Sequence, residues 1–182
     1  MQSAGKLSWL WAMPLLLNAC ASVDVRTDYD NSVDFSRYTT YFWKKLPATA
    51  NSLMDGRIVA AVDGQLAAKG WRKAPEQQAQ TALAADVTTR EGQRVDTFHN
   101  NVGPGWHGGW QGWGMGGSMM TTSRVVTYHV GTLVIDLYDV KSKNAIWRGT
   151  ASKTLSTDPA TMRRSLDEGV RGMFAKFPPG TQ

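Results

Sequence analysis

An α+β fold, a mostly antiparallel sheet with two amphipathic helices packed on one face, follows from three features of this chain. Several segments alternate apolar and polar residues with the period of a half-buried strand. Two segments carry apolar residues at helical spacing between recognisable start and stop signals. The strands fall in neighbouring groups around those helices, the pattern of a layered α+β domain.

The elements follow in order. Residues 23–29 (Val-Asp-Val-Arg-Thr-Asp-Tyr) alternate strictly and read as a strand, broken at 30–32. Phe35 leads into Tyr38-Thr39-Thr40-Tyr41-Phe42-Trp43, aromatic and β-rich, a second strand. Residues 44–50, with Pro47, connect it to a helix. Ser52 is placed to cap that helix, with Asp55 three residues on as an imperfect capping box. Met54, Ile58, Val62 and Leu66 form its stripe, Gly64 weakens it, and Gly70 is a natural stop with Trp71 packing beyond. Residues 75–80 are a polar linker, and 81–94 read as strand although Ala82-Leu83-Ala84-Ala85 is ambiguous. Residues 123–130 alternate again and 131–138 continue as strand, 139–144 form a turn, and 145–151 return as the partner strand of a hairpin. Asp158-Pro159 is a clean helix start. Met162, Leu166, Val170, Met173 and Phe177 give its stripe, and Pro178-Pro179-Gly180 ends it.

The N-terminus carries an address. Lys6 precedes the apolar run 7–17, and Leu17-Asn18-Ala19 leads to Cys20, the sole cysteine. One positive charge before an apolar run of about 7–15 residues reads as a secretory signal. The run falls short of the roughly 20 residues that span a bilayer. A small residue directly before the cysteine resembles a bacterial lipobox. Residues 1–19 are then a signal peptide, Cys20 is acylated, and 20–182 form a single domain. The alternative is an ordinary secretory signal with an incidental cysteine. A domain of this length builds a core without disulfides. Ala21-Ser22 after the cysteine lacks the aspartate that commonly marks inner-membrane retention, which favours the periplasmic face of the outer membrane.

The formal charge is +5, and loss of Lys6 lowers it by one. The basic residues are scattered, with no run of five or more, so no nucleic-acid footprint exists.

Further motifs support a family resemblance. Asp34-Phe35-Ser36-Arg37-Tyr38-Thr39-Thr40-Tyr41-Phe42-Trp43 follows the first strand, and Leu66-Ala67-Ala68-Lys69-Gly70-Trp71 ends the first helix. Gly131-Thr132-Leu133-Val134-Ile135-Asp136-Leu137-Tyr138 and Ile146-Trp147-Arg148-Gly149-Thr150-Ala151 close the pattern. With the lipobox, this arrangement resembles the DUF4136 family of bacterial envelope lipoproteins from about Val23 to the last helix. The resemblance implies location and fold. It implies no chemistry and no site residues.

Candidate sites remain. Residues 99–120 hold eight of the eighteen glycines and three of the eight tryptophans, with Met115, Met119 and Met120. Trp106, His107, Trp110 and Trp113 read as a possible ligand-contact platform, since indole faces stack on sugars, lipids or apolar ligands. The alternative is a disordered hairpin connection whose tryptophans fold loosely back on the sheet. His99, His107 and His129 lack a metal-site spacing, although hairpin pairing brings His99 and His129 into consideration. Asp136, Asp139 and Asp86 are carboxylates for acid–base work, as in glycoside hydrolysis. The alternative is that Asp136 pairs with Arg148 or Arg124 across strands and Asp139 starts a turn. No nucleophile elbow, zinc-protease helix or phosphate loop occurs, and the sequence calls for no metal and no cofactor.

The expectation is a non-enzymatic lipoprotein, bound to membrane through Cys20, whose domain binds a cell-wall polymer, a lipid or another envelope protein. The competing expectation is a carbohydrate-active or other hydrolase using Asp136, Asp139 or Asp86; convergence of those carboxylates in a pocket separates the two. A third is a structural envelope protein whose loop has no ligand.

Overall fold

The computed structural model describes residues 22–99 and 121–179. Within them, one six-stranded sheet contains β1 (Asp24–Tyr29), β2 (Thr40–Lys45), β3 (Arg72–Lys73), β4 (Thr81–His99), β5 (Thr121–Asp139) and β6 (Ala145–Thr154). The spatial order is β1-β6-β5-β4-β2-β3. Helices α1 (Ser52–Ala68) and α2 (Pro159–Phe174) complete an α+β fold.

The sheet is mixed rather than mostly antiparallel. The pairs β1–β6, β6–β5 and β5–β4 are antiparallel, but β2 runs parallel to both β4 and β3. The reason is the path of α1, which returns the chain from the end of β2 to the start of β3. Parallel neighbours need such a crossover, whereas a tight turn makes antiparallel ones. Alternation within each strand does not reveal which partner it will take.

The stripe read on α1 is real. Ile58, Val62 and Leu66 are buried. Each contributes roughly 1.5–3 kcal/mol of hydrophobic stabilisation. The cap is Asn51, one residue before Ser52: its side-chain oxygen accepts from the backbone N–H groups of Leu53 and Met54. Asp55 instead accepts from Thr49 N–H. At the other end Gly70 adopts φ 80°, a conformation that costs an L-residue strain. Gly70 N–H donates to Ala67 and Trp71 N–H to Leu66, which turns Trp71 into the core.

On α2, Asp158 caps Ala160 and Thr161 with Pro159 in the first turn, as the sequence indicates. The helix stops at Phe174, so Phe177 leaves the helical stripe. It still reaches the core after a turn, its N–H donating to Phe174. There Phe177 meets Trp71, Trp147 and Phe174 with ring centroids 5.1, 5.2 and 5.4 Å away. Such pairs contribute about 0.5–1.5 kcal/mol each beyond burial.

Both helices share one core with one sheet face. Leu83 and Ala85 of β4, Leu133, Ile135 and Leu137 of β5, and Trp147 of β6 point into it. Among the described residues no helix covers the opposite face, which carries Phe42, Ala84, Asp86, Asp136, Tyr138 and Arg148. β4 and β5 are also longer than expected. β2 last pairs with β4 at Ala84 and β6 last pairs with β5 at Val130. Residues 92–99 and 121–128 therefore leave the domain as a two-stranded arm, with Val95 opposite Val125, both exposed.

Candidate functional site

The three carboxylates singled out in the sequence do not converge. Asp136 stands on the uncovered sheet face, directly opposite Arg148 on β6. Arg148 donates through Nε to Oδ1 at 2.5 Å and through Nη2 to Oδ2 at 2.8 Å. Its hydrogen bonds to that carboxylate, then the carboxylate's charge, hold the guanidinium proton more tightly than usual. Arg148, not Arg124, is thus the partner. Asp139 begins the β5–β6 turn. It accepts from Ser142 N–H at 2.6 Å and from Tyr38 Oη at 3.0 Å. The Ser142 backbone bond leads the lowering of its pKa against a smaller effect of burial. Asp86 is exposed and bonded to Lys45. A hydrolytic pair needs two carboxyl groups facing one cleft, one of them free to accept a proton. Here each carboxylate is committed to a different neighbour. A shallow 270 Å³ depression lined by Phe42, Tyr138 and Asp139 contains only the turn carboxylate and Glu76, which pairs with Lys44 at 3.5 Å.

His99 and His129 are also apart. His99 pairs with Thr121 and His129 with Glu91, positions separated along the same ladder by roughly 27 Å at about 3.4 Å per residue. The pairing register keeps them from meeting. Among the described residues no three His, Cys, Asp or Glu side chains form a metal-binding group. Cys20 and the proposed contacts Trp106, His107, Trp110 and Trp113 lie outside the described residues.

Sequence reasoning missed Asp63 on α1, whose carboxylate accepts from three different side chains. Tyr41 Oη and Trp43 Nε1 both donate to its Oδ1 at 2.8 Å, and Lys73 Nζ donates to Oδ2 at 2.7 Å. Burial resists its ionisation, but bonds from Lys73, Trp43 and Tyr41 outweigh that and lower its pKa. The same burial, with the Asp63 bond and charge, raises the Tyr41 phenol. The cluster ties α1 to the β2–β3 edge. A faint signal existed: Tyr41 and Trp43 share one strand face, and buried aromatic O–H and N–H groups require acceptors.

No sequence pattern signals a second feature, an apolar cavity of about 110 Å³ between the N-terminal halves of α1 and α2 and the sheet. Val23, Met54, Ile58, Leu133, Met162 and Leu166 contribute its walls, and Lys153, Ser165 and Leu155 reach it as well. Gly169 brings α2 close to the strands beside it. A Cβ there would stand 3.0 Å from Ala151 Cβ and 3.4 Å from Val23 Cγ1. Among the described residues no buried side-chain polar atom lacks a partner. Thr132, Ser152, Thr154 and Ser165 line the cavity too, the Thr132 and Ser152 hydroxyls bonding to each other at 2.9 Å, and the walls are otherwise mainly hydrocarbon and sulfur.

Among the described residues no helix is long and apolar enough to cross a membrane. The model of a domain of unknown function, DUF4136, matches residues 25–179. No curated protein matches the chain. Among solved structures, a DUF4136 family protein from Bacteroides thetaiotaomicron VPI-5482 superposes with TM-score 0.53 at 15% identity, over 86% of this chain and 96% of that one. A PDZ domain protein from Parabacteroides distasonis ATCC 8503 superposes with TM-score 0.55 at 12% identity, over 88% of this chain. This chain spans only 37% of that protein's length. At these identities the likeness concerns the fold alone.

Proposed function

The chain belongs to the DUF4136 family, and from that premise we propose that it is a lipid-anchored protein of the bacterial cell envelope whose domain is a non-enzymatic binding or assembly module. The observation that carries the non-enzymatic reading is the separate commitment of Asp136, Asp139 and Asp86 to Arg148, the β5–β6 turn and Lys45. The anchor is supported by the apolar run and the small residue before Cys20. Acyl chains on Cys20 hold the domain at the periplasmic face of the outer membrane. A cell-wall polymer, a lipid or another envelope protein is the partner, met through the tryptophans at 106, 110 and 113. Stable anchoring takes more than one chain, which the diacyl or triacyl form supplies.

Intact-mass spectrometry on protein extracted from membranes, beside a Cys20→Ser variant, tests the anchor. The expected result is a diacyl or triacyl mass on Cys20 that the variant loses. An unmodified Cys20 overturns it. Deletion of residues 103–117 tests the module: loss of envelope-partner capture supports it, and unchanged capture removes the tryptophans from the contact.

A further inference from the structure

We propose that the cavity between α1, α2 and the sheet binds the alkyl chain of a free single-chain anionic amphiphile, a fatty acid in its simplest form, with the Lys153 ammonium at its head group. The inference goes beyond the anchor and does not require acylation of Cys20.

The wall chemistry selects hydrocarbon. At about 110 Å³ the cavity exceeds the roughly 10–15 Å³ that one water needs. Water also needs two to four polar partners, and this lining offers few. Apolar cavities of similar size, about 150 Å³, stay dry and admit small apolar molecules. Met54 and Met162 provide unbranched, deformable walls on opposite helices. They suit a flexible chain better than a rigid ring. Towards the arm, Gly131 has no side chain of its own and Leu155 lies over it, with a Gly131 Cβ position only 2.5 Å from Leu155 Cδ2. Leu155 is 37% exposed and extends the apolar track to solvent.

The charge selects an anionic head. Lys153 stands at the cavity with its side chain only 23% exposed. Its one charged neighbour among the described residues is Glu168, at 3.8 Å. That is longer than a hydrogen bond, and Glu168 is itself 48% exposed. A carboxylate head at Lys153 would form a charge-assisted bond of about 2.7–2.9 Å and displace this loose contact.

The test uses the full-length Cys20→Ser chain, free of detergent. cis-Parinaric acid is titrated by fluorescence, and dodecanoate and dodecanol compete. Saturable binding displaced by dodecanoate is expected, with methyl NMR shifts at Met54 and Met162 but not at Met173, which lies outside the lining. Ser165→Phe fills the space and should abolish binding. Lys153→Gln should weaken dodecanoate about tenfold, the equivalent of roughly 1.4 kcal/mol, and leave dodecanol unchanged. Absence of saturable binding, shifts that avoid both methionines, or equal effects of Lys153→Gln on acid and alcohol overturn the proposal. If Ser165→Phe unfolds, the methionine shifts and the Lys153 comparison still decide. Binding present in Cys20→Ser but blocked in acylated protein from membranes would assign the pocket to the protein's own acyl chain and overturn the free-ligand reading. Lack of acylation by mass spectrometry would defeat the anchor and leave this site untouched.

Discussion

Arg148 holds both oxygens of Asp136 along one edge of its guanidinium, through Nε and Nη2, from the directly opposite position on the neighbouring strand. The carboxylate is almost wholly buried, while the arginine side chain is 58% exposed. This asymmetry decides what happens when the pair is cut. Tyr138 Oη, 3.5 Å from Oδ2, is too distant to compensate for a lost guanidinium.

Arg148→Met leaves the Asp136 carboxylate buried without its cation. Breaking a fully buried pair in this way costs roughly 3–5 kcal/mol. Solvent screening of the arginine reduces the expected loss to about 2 kcal/mol. Asp136→Leu combined with Arg148→Met removes both charges and should recover stability to within about 1 kcal/mol of the original. Urea denaturation of the two variants checks this. A double variant no better than Arg148→Met would show that the pair is favourable beyond charge compensation.

Asp63 makes the fold sensitive to acid. Its folded pKa lies below the ordinary carboxylate value of 3.8. Its contribution is therefore present at neutral pH and is lost as pH falls through about 4 and below. Asp63→Asn should cost about 2 kcal/mol at pH 7, where charge-assisted bonds from Lys73, Tyr41 and Trp43 are weakened. The gap to the unsubstituted protein should narrow by about pH 3. Thermal midpoints measured across that range test it; a constant gap would remove the ionised form of Asp63 from the argument.

Local patterns were legible where one residue's neighbours in sequence decide its environment. The α1 stripe, the Asp158-Pro159 start and the Gly70 stop all belong to that class, because caps and helical faces are set within a few residues. Asp136 facing away from Leu133, Ile135 and Leu137 was likewise readable from alternation. The parallel pairing of β2 was not, because it depends on where α1 returns the chain. Asp63 escaped notice because its partners come from β2 and β3, and no spacing connects them. The cavity escaped for a related reason: Met54 and Met162 each look like ordinary stripe residues, and the gap exists only where both helices face the sheet around Leu133.

The same helix substitution should have opposite signs at two glycines. At Gly64 on α1 nothing lies within 4 Å of the place an added methyl would take, so Gly64→Ala should stabilise the protein by about 1 kcal/mol through helix propensity. At Gly169 on α2 that methyl would press on Ala151 Cβ at 3.0 Å. Helix propensity is there set against overpacking of roughly 1–3 kcal/mol. Gly169→Ala should therefore lower the thermal midpoint. A rise at both positions would show that α2 can lift from β6 without loss.

The arm should open separately from the domain. Residues 92–96 and 123–128 pair only with each other, because β2 and β6 no longer flank them. A two-stranded ribbon is marginal by itself in water. Its exposed faces add little burial, as Val95 and Val125 show at 60% and 59% exposure. Tyr128 provides one local support by lying over Gly92, where a Cβ would approach its ring to 2.5 Å. Residues 81–84 and 133–137 instead lie under both helices and have partners on both sides. Amide hydrogen exchange should consequently be fast in the arm and slow in the covered half of the same two strands. Tyr128→Ala should speed exchange in residues 92–96 while leaving 81–84 unchanged. Uniform protection along β4 and β5 would mean that another surface covers the arm in solution, and its concentration dependence would identify a second copy of the chain as that surface.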